Sequence, residues 1–241
     1  MPDQTGKDSQ VSKKTRRYRL SFTGADAMIS EFAHVAAFIV NKSVQHWSSS
    51  VIEDQSDDMK LQNIVQNVLD TLDDSTFGQE VLGKEKKSTS VRQIRELRHR
   101  IKNLTDLQIS ILAEGTHVEQ QQITHLALIK TYAFYRDFML DVIVSKARLY
   151  DYELSEYDYH SFISRKSSSH PELEQMTVST MRKIKQNMIR MLDQVGVIKK
   201  SKSSELKAVI LIPSLEHRVE HAILEDDSSL LAIFLQDEYP I

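Results

Sequence analysis

The chain has no cysteine, which removes disulfides, thiolate catalysis and cysteine-based zinc sites at once. That suits a reducing compartment, and a cytoplasmic protein is expected. Glycine and proline are scarce, six and four in 241 residues. A fold made of many short strands and tight turns needs more of both. No apolar stretch approaches the roughly 20 residues of a membrane span. The longest runs, residues 33–40 and 208–213, are far shorter, and charges from Lys130 to Arg148 interrupt the apolar region 126–150. The N-terminus lacks the apolar centre of a signal peptide, so no membrane insertion is expected. No P-loop, G-x-G-x-x-G or G-x-S-x-G pattern occurs, and no enzyme, cofactor or small-molecule substrate is expected.

What is present is segregated charge. The formal net charge is −3, yet residues 11–19 hold five basic side chains and no acid. Residues 83–102 and 177–207 each hold eight basic residues against two acids. The balancing acid lies at 51–80, with eight acids and one Lys, and at 208–241, with seven acids and one Arg. Clustering of this kind bears on nucleic-acid binding more than the total does.

Helical periods dominate from Tyr18 onward. The apolar spacing predicts helices over 25–40, 61–72, 88–104 and 105–113, and one or two over 119–149. Ser90 is the expected N-cap of the third, and a T-x-x-Q pattern opens the fourth. Along 88–104 the wheel places Arg92, Arg95, His99 and Lys102 beside an apolar stripe, with Glu96 the one acid near them. Tyr132, Phe134, Tyr135 and Phe138 are expected in the core, and Trp47 reads as a packing anchor. Asp57–Asp58 and Asp73–Asp74 are neighbours that point apart on a helix and make poor catalytic dyads.

After Tyr150 the pattern changes. A short helix over 154–164, led by Ser155, precedes a polar loop. A longer helix then starts at Thr177, with Met181, Ile184, Met188, Met191, Leu192 and Val195 as its packing face. Arg182, Gln186 and Arg190 share the opposite side, flanked by Lys183 and Asn187. Gly196 is the expected stop, and two short strands joined by a polar turn follow. Helix, loop, longer helix and basic hairpin is the order of a winged-helix unit, with the longer helix for recognition and the Lys199, Lys200 and Lys202 hairpin as the wing. The expected fold is mainly α: a helical N-terminal domain, then a small winged-helix-like unit with a short β-hairpin. The boundaries are a mobile basic arm at 1–17, a helical domain at 18–150, the winged-helix-like unit at 151–215 and an acidic helical segment at 216–241.

Double-stranded DNA is the partner these cations fit best. Phosphates need spaced positive charge, and Gln186 and Asn187 are side chains able to meet base edges. Arg92, Arg95 and the arm residues Arg16 and Arg17 extend the expected footprint, the arm toward a minor groove. An ordinary solvated helix face gives the same pattern, as does a membrane-surface helix, although this one lacks Trp and Phe. The HRVEH sequence at 217–221 matches the H-x-x-E-H zinc-enzyme pattern. A catalytic zinc needs a third ligand that nothing downstream supplies, so a surface His pair is the default.

Four blocks occur in a telling order: YRLSFTG at 18–24, VRQIRELRHRIKNLTDLQISILAEG at 91–115, YAFYRDFMLDVI at 132–143, and HPEL followed by MRKIKQNMIRMLDQVGVI at 170–198. Together they resemble the BrxA family of bacterial BREX phage-defence systems, over about residues 18–215. The resemblance implies a mostly helical, non-enzymatic, DNA-binding accessory protein acting with other BREX proteins. It also implies a likeness to NusB, an all-helical RNA-binding fold. An adaptor whose basic faces meet acidic protein partners, and an RNA-binding factor, remain the alternatives.

Overall fold

Local signals set most element boundaries. The computed structural model describes residues 17–50, 88–203 and 205–235, with 44–50 and 88–90 described by backbone alone. Arg16, the 61–72 helix, the Asp57–Asp58 and Asp73–Asp74 pairs, the end of the acidic segment, and the Trp47 and Ser90 side chains lie outside that description.

The N-terminal part begins with a 3-10 turn, Ser21–Gly24, and helix α1, Ile29–Ser50. Residues 25–28 were expected to be helical and are not. The buried Arg100 guanidinium draws their carbonyls away, and Met28 has φ 53° immediately before α1. Helix α2 spans Ser88–Ile101, and α3 spans Asp106–Glu114. Thr105 caps α3 as expected: its hydroxyl accepts from the Gln108 N–H at 3.3 Å, and the Gln108 side chain accepts from the Thr105 N–H at 3.1 Å. Thr116 and Glu119 cap α4, His117–Thr131, in the same reciprocal way.

The 119–149 region is not one rod. The chain leaves helical geometry at Tyr132 (φ −118°, ψ 101°), then continues through α5, Ala133–Phe138, a π-helical segment, Met139–Val144, and α6, Ser145–Arg148. Tyr132, Phe134, Tyr135 and Phe138 are fully buried, as the sequence predicts.

Beyond Tyr150 a strand appears that the sequence did not reveal, β1, Glu153–Ser155. Leu154, expected in the next helix, belongs to it. Ser155 still leads that helix, α7, Glu156–Ser167, through a reciprocal cap with Asp158. The short α8, Pro171–Glu174, and the long α9, Val178–Gln194, follow. Gly196 ends α9 with φ 78°, a left-handed conformation that costs a residue with a Cβ more. Strands β2, Ile198–Lys200, and β3, Lys207–Ile210, complete an antiparallel sheet of order β1-β3-β2. Its register pairs Glu153 with Val209 and Lys199 with Val209. Helix α10, His217–Leu224, and a 3-10 segment, Ser228–Phe234, finish the described chain. Leu230–Leu235 are buried, so the acidic segment carries an apolar anchor.

One apolar cluster joins these parts, from Phe22 and Phe32 through Phe134 and Phe138 to Met188, Ile198, Ile210 and Leu231. On α9 the expected packing residues Ile184, Met188, Met191, Leu192 and Val195 are buried, while Met181 is half-buried. No helix among the described residues is long and apolar enough to cross a membrane.

Candidate nucleic-acid interface

Because α9 buries its Met-rich face, its other face must meet solvent. Arg182, Lys183, Gln186 and Arg190 are exposed there. Thr177 caps the helix, its hydroxyl accepting from the Thr180 N–H at 3.2 Å.

Not every polar residue of this face is available. Asn187, expected to face base edges, donates its amide to the Thr23 carbonyl at 2.7 Å and toward the Phe22 carbonyl at 3.4 Å. It is a structural tie, because the 3-10 turn lies within its reach. Lys185 pairs with Glu156, whose carboxyl is held below its usual range chiefly by that contact. Gln194 accepts from the Ala27 N–H at 3.0 Å and donates to Asp26 at 3.3 Å. Residues 22–27 are thereby stitched along α9.

The stitching builds a groove of about 490 Å³ between α9 and the N-terminal segment. Arg182, Lys183, Gln186 and Arg190 form one wall; Thr23, Gly24, Asp26 and Gln93 contribute the other. A Cβ on Gly24 would meet the Arg92 Cβ at 3.8 Å, so Arg92 stands at this rim. Arg95, three residues on, shares its helix face and is also exposed. The structure therefore brings the α2 and α9 patches together.

A second depression, about 190 Å³, lies between α9 and the β2–β3 connection, lined by Arg182, Gln186, Lys200 and Glu205 among others. Arg182 and Gln186 line both depressions and form the ridge between them. Lys199 and Lys200 are adjacent in a strand and point to opposite sides, so only Lys200 adjoins this ridge. Lys199 and Lys202 are exposed elsewhere on the wing. Arg92, Arg182, Lys183, Lys199, Lys200 and Lys202 carry no ion pair among the described residues.

Two expectations need correcting. Arg100, counted in the basic cluster, is fully buried and is no part of any surface. Its guanidinium donates to the carbonyls of Asp26, Ala27 and Ala25 at 2.7, 3.0 and 3.3 Å and to the Tyr132 hydroxyl at 3.2 Å. Glu96 is also buried; it accepts from the Tyr132 hydroxyl at 2.6 Å and from Ser21 at 2.9 Å. The lone acid of the cluster therefore belongs to the core network beneath the patch. His99 beside them is held below the usual imidazole range by burial and then by the charge of Arg19.

Arg17 is exposed but sits elsewhere. The next residue, Tyr18, stacks on His170 at 3.6 Å and donates its hydroxyl to Asp137 at 2.6 Å and its N–H to Glu172 at 2.8 Å. These acids surround the root of the arm. Thr23, Asp26 and Gln93 were missed from the sequence, since nothing local marks them as facing α9. Among the described residues, no group of three or more His, Asp or Glu side chains is placed to hold a metal ion. His217 and His221 of HRVEH are exposed on α10, His221 lying 3.6 Å from Glu225.

Comparison with known proteins bears on the resemblance. The BrxA family model matches residues 59–222. The chain belongs to the BrxA family. The BREX protein BrxA of Escherichia coli O9:H4 (strain HS) is 24% identical over 161 residues, covering 67% of this chain and 76% of that protein. The crystal structure of an uncharacterized protein from Magnetospirillum magneticum matches with a TM-score of 0.62 at 17% identity, covering 92% of this chain and 99% of that one. At that identity it shows that the family fold extends over both halves of this chain.

Proposed function

We propose that the protein is a non-enzymatic accessory factor of a BREX-type defence system that binds double-stranded DNA, mainly through the phosphate backbone. The observation that carries this reading is the α9 ridge. Arg182 and Gln186 project between two depressions, with Lys183, Arg190 and Arg92 along one and Lys200 along the other. A helix laid in a major groove has a phosphate backbone on each side, and cations on both flanks suit that placement. The succession β1, α7, α8, α9, β2, β3 with β3 central supports a winged-helix-like unit over 151–215. Membership of the BrxA family, and the printed name of its Escherichia coli relative, support the defence-system setting and other BREX proteins as partners.

If about six phosphates are neutralised, the log–log dependence of affinity on salt has a slope near −5. Fluorescence anisotropy of a labelled duplex at four salt concentrations measures it, and a flat dependence overturns the mechanism. An adaptor within the defence complex is the second reading, favoured by Leu149 and Tyr150, which are 78% and 84% exposed. Aromatic and aliphatic side chains displayed this openly are common anchors of protein interfaces.

A further inference from the structure

The basic groove contains one fixed acid. Asp26 lies at the groove's inner edge, and nothing in the mechanism above uses it. Its backbone carbonyl accepts from the buried Arg100 at 2.7 Å. Its carboxylate accepts from Gln194 at 3.3 Å, and Gln194 is itself held by the Ala27 N–H. The side chain is 28% exposed and lies 3.9 Å from the Arg190 guanidinium, which is 59% exposed. This negative charge is therefore built into place beside a cation of the DNA surface.

Resting on the duplex-binding reading, we infer that Asp26 sets the affinity of this surface for DNA by competing with phosphate for Arg190. An ion pair this exposed is worth only about 0–1 kcal/mol. It is weak enough for a phosphate to displace, yet it keeps Arg190 from adding its full charge. Asp26 also repels any phosphate that enters the groove beside Gln93. The consequence is moderated, reversible binding rather than the tightest binding these cations permit.

Asp26→Asn tests this with little disturbance, since Arg100 holds the backbone carbonyl and an Asn oxygen still accepts from Gln194. Full-length wild type, Asp26→Asn, Arg190→Gln and the double variant are titrated with one duplex at several salt concentrations, their melting temperatures confirming the fold. One additional phosphate contact steepens the log–log slope by about 0.9, which is about 8-fold tighter binding at 0.1 M salt. Asp26→Asn is expected to show that gain, and Arg190→Gln to abolish it. Unchanged or weaker binding by folded Asp26→Asn overturns the inference, as does an equal gain in the Arg190→Gln background. Elution from immobilised heparin separates this inference from the reading it rests on. If no form binds the duplex but Asp26→Asn elutes at higher salt only when Arg190 is present, the competition stands and the duplex reading falls. Equal elution of all forms, with no duplex binding, overturns both.

Discussion

Arg100→Leu isolates the network beneath the groove. The wild-type guanidinium is fully buried and supplies the donors for three backbone carbonyls and for the Tyr132 hydroxyl. Leucine fills much of the volume but leaves three acceptors without that donor and Glu96 without its buried counter-charge. Glu96 keeps only Tyr132 and Ser21 as hydrogen-bond partners. An orphaned buried acceptor costs about 1–3 kcal/mol, and breaking a buried charge arrangement from one side costs about 3–5 kcal/mol. These overlap, so the expected loss is about 4 kcal/mol, a large part of the roughly 5–15 kcal/mol that stabilises a typical domain. For a chain of this size that lowers the melting temperature by about 8–16 °C. Circular dichroism at 222 nm during heating reads it. Arg100→Lys keeps the charge without the fork and should fall between the two; Glu96→Gln combined with Arg100→Leu should recover part of the loss. A shift of Arg100→Leu below about 3 °C would falsify the reading of this network as structural.

Three further outcomes follow from other parts of the molecule. His125 is buried with Nε2 unpartnered, and burial lowers its pKa to about 3. The unfolded chain takes up that proton near pH 6.5 and the native chain does not. This contribution is complete above pH 6.5 and is lost as pH falls toward 3; denaturant titrations should show His125→Leu losing about 2 kcal/mol less than wild type between pH 7 and 5. Asn187→Ala removes the tie to the Thr23 carbonyl, lowering stability by about 1 kcal/mol; duplex affinity should weaken with the salt slope unchanged, since Asn187 touches no phosphate. Gly196→Ala forces a Cβ into φ 78° with open space around it, so a loss of about 1 kcal/mol in a thermal melt is expected from backbone strain alone.

What could be read from the sequence was local. Thr105, Thr177 and Gly196 announce helix ends through interactions within three or four residues, and each does so in the structure. The Met-rich face of α9 follows from its 3.6-residue period. What failed depends on partners far along the chain. Arg100 flanks the apolar stripe of α2, but only carbonyls 73 to 75 positions away make its burial tolerable. Asn187 looked outward until the turn at Phe22–Thr23, 164 and 165 positions distant, took its amide. Strand β1 is three residues, Glu-Leu-Ser, with no alternation to read; it exists because β3 offers an edge. Part of the candidate groove was legible as charge on α2 and α9. Its other wall, Thr23, Gly24 and Asp26, emerges only when the two segments are laid together.

The most direct test is a gel-shift titration of duplex DNA with wild-type protein and with Arg182→Glu/Arg190→Glu, beside RNA of equal length. Salt-sensitive binding that favours the duplex and is lost in the folded variant is the predicted result. Equal binding by both proteins, or no duplex binding by the wild type, contradicts a DNA-binding role for α9.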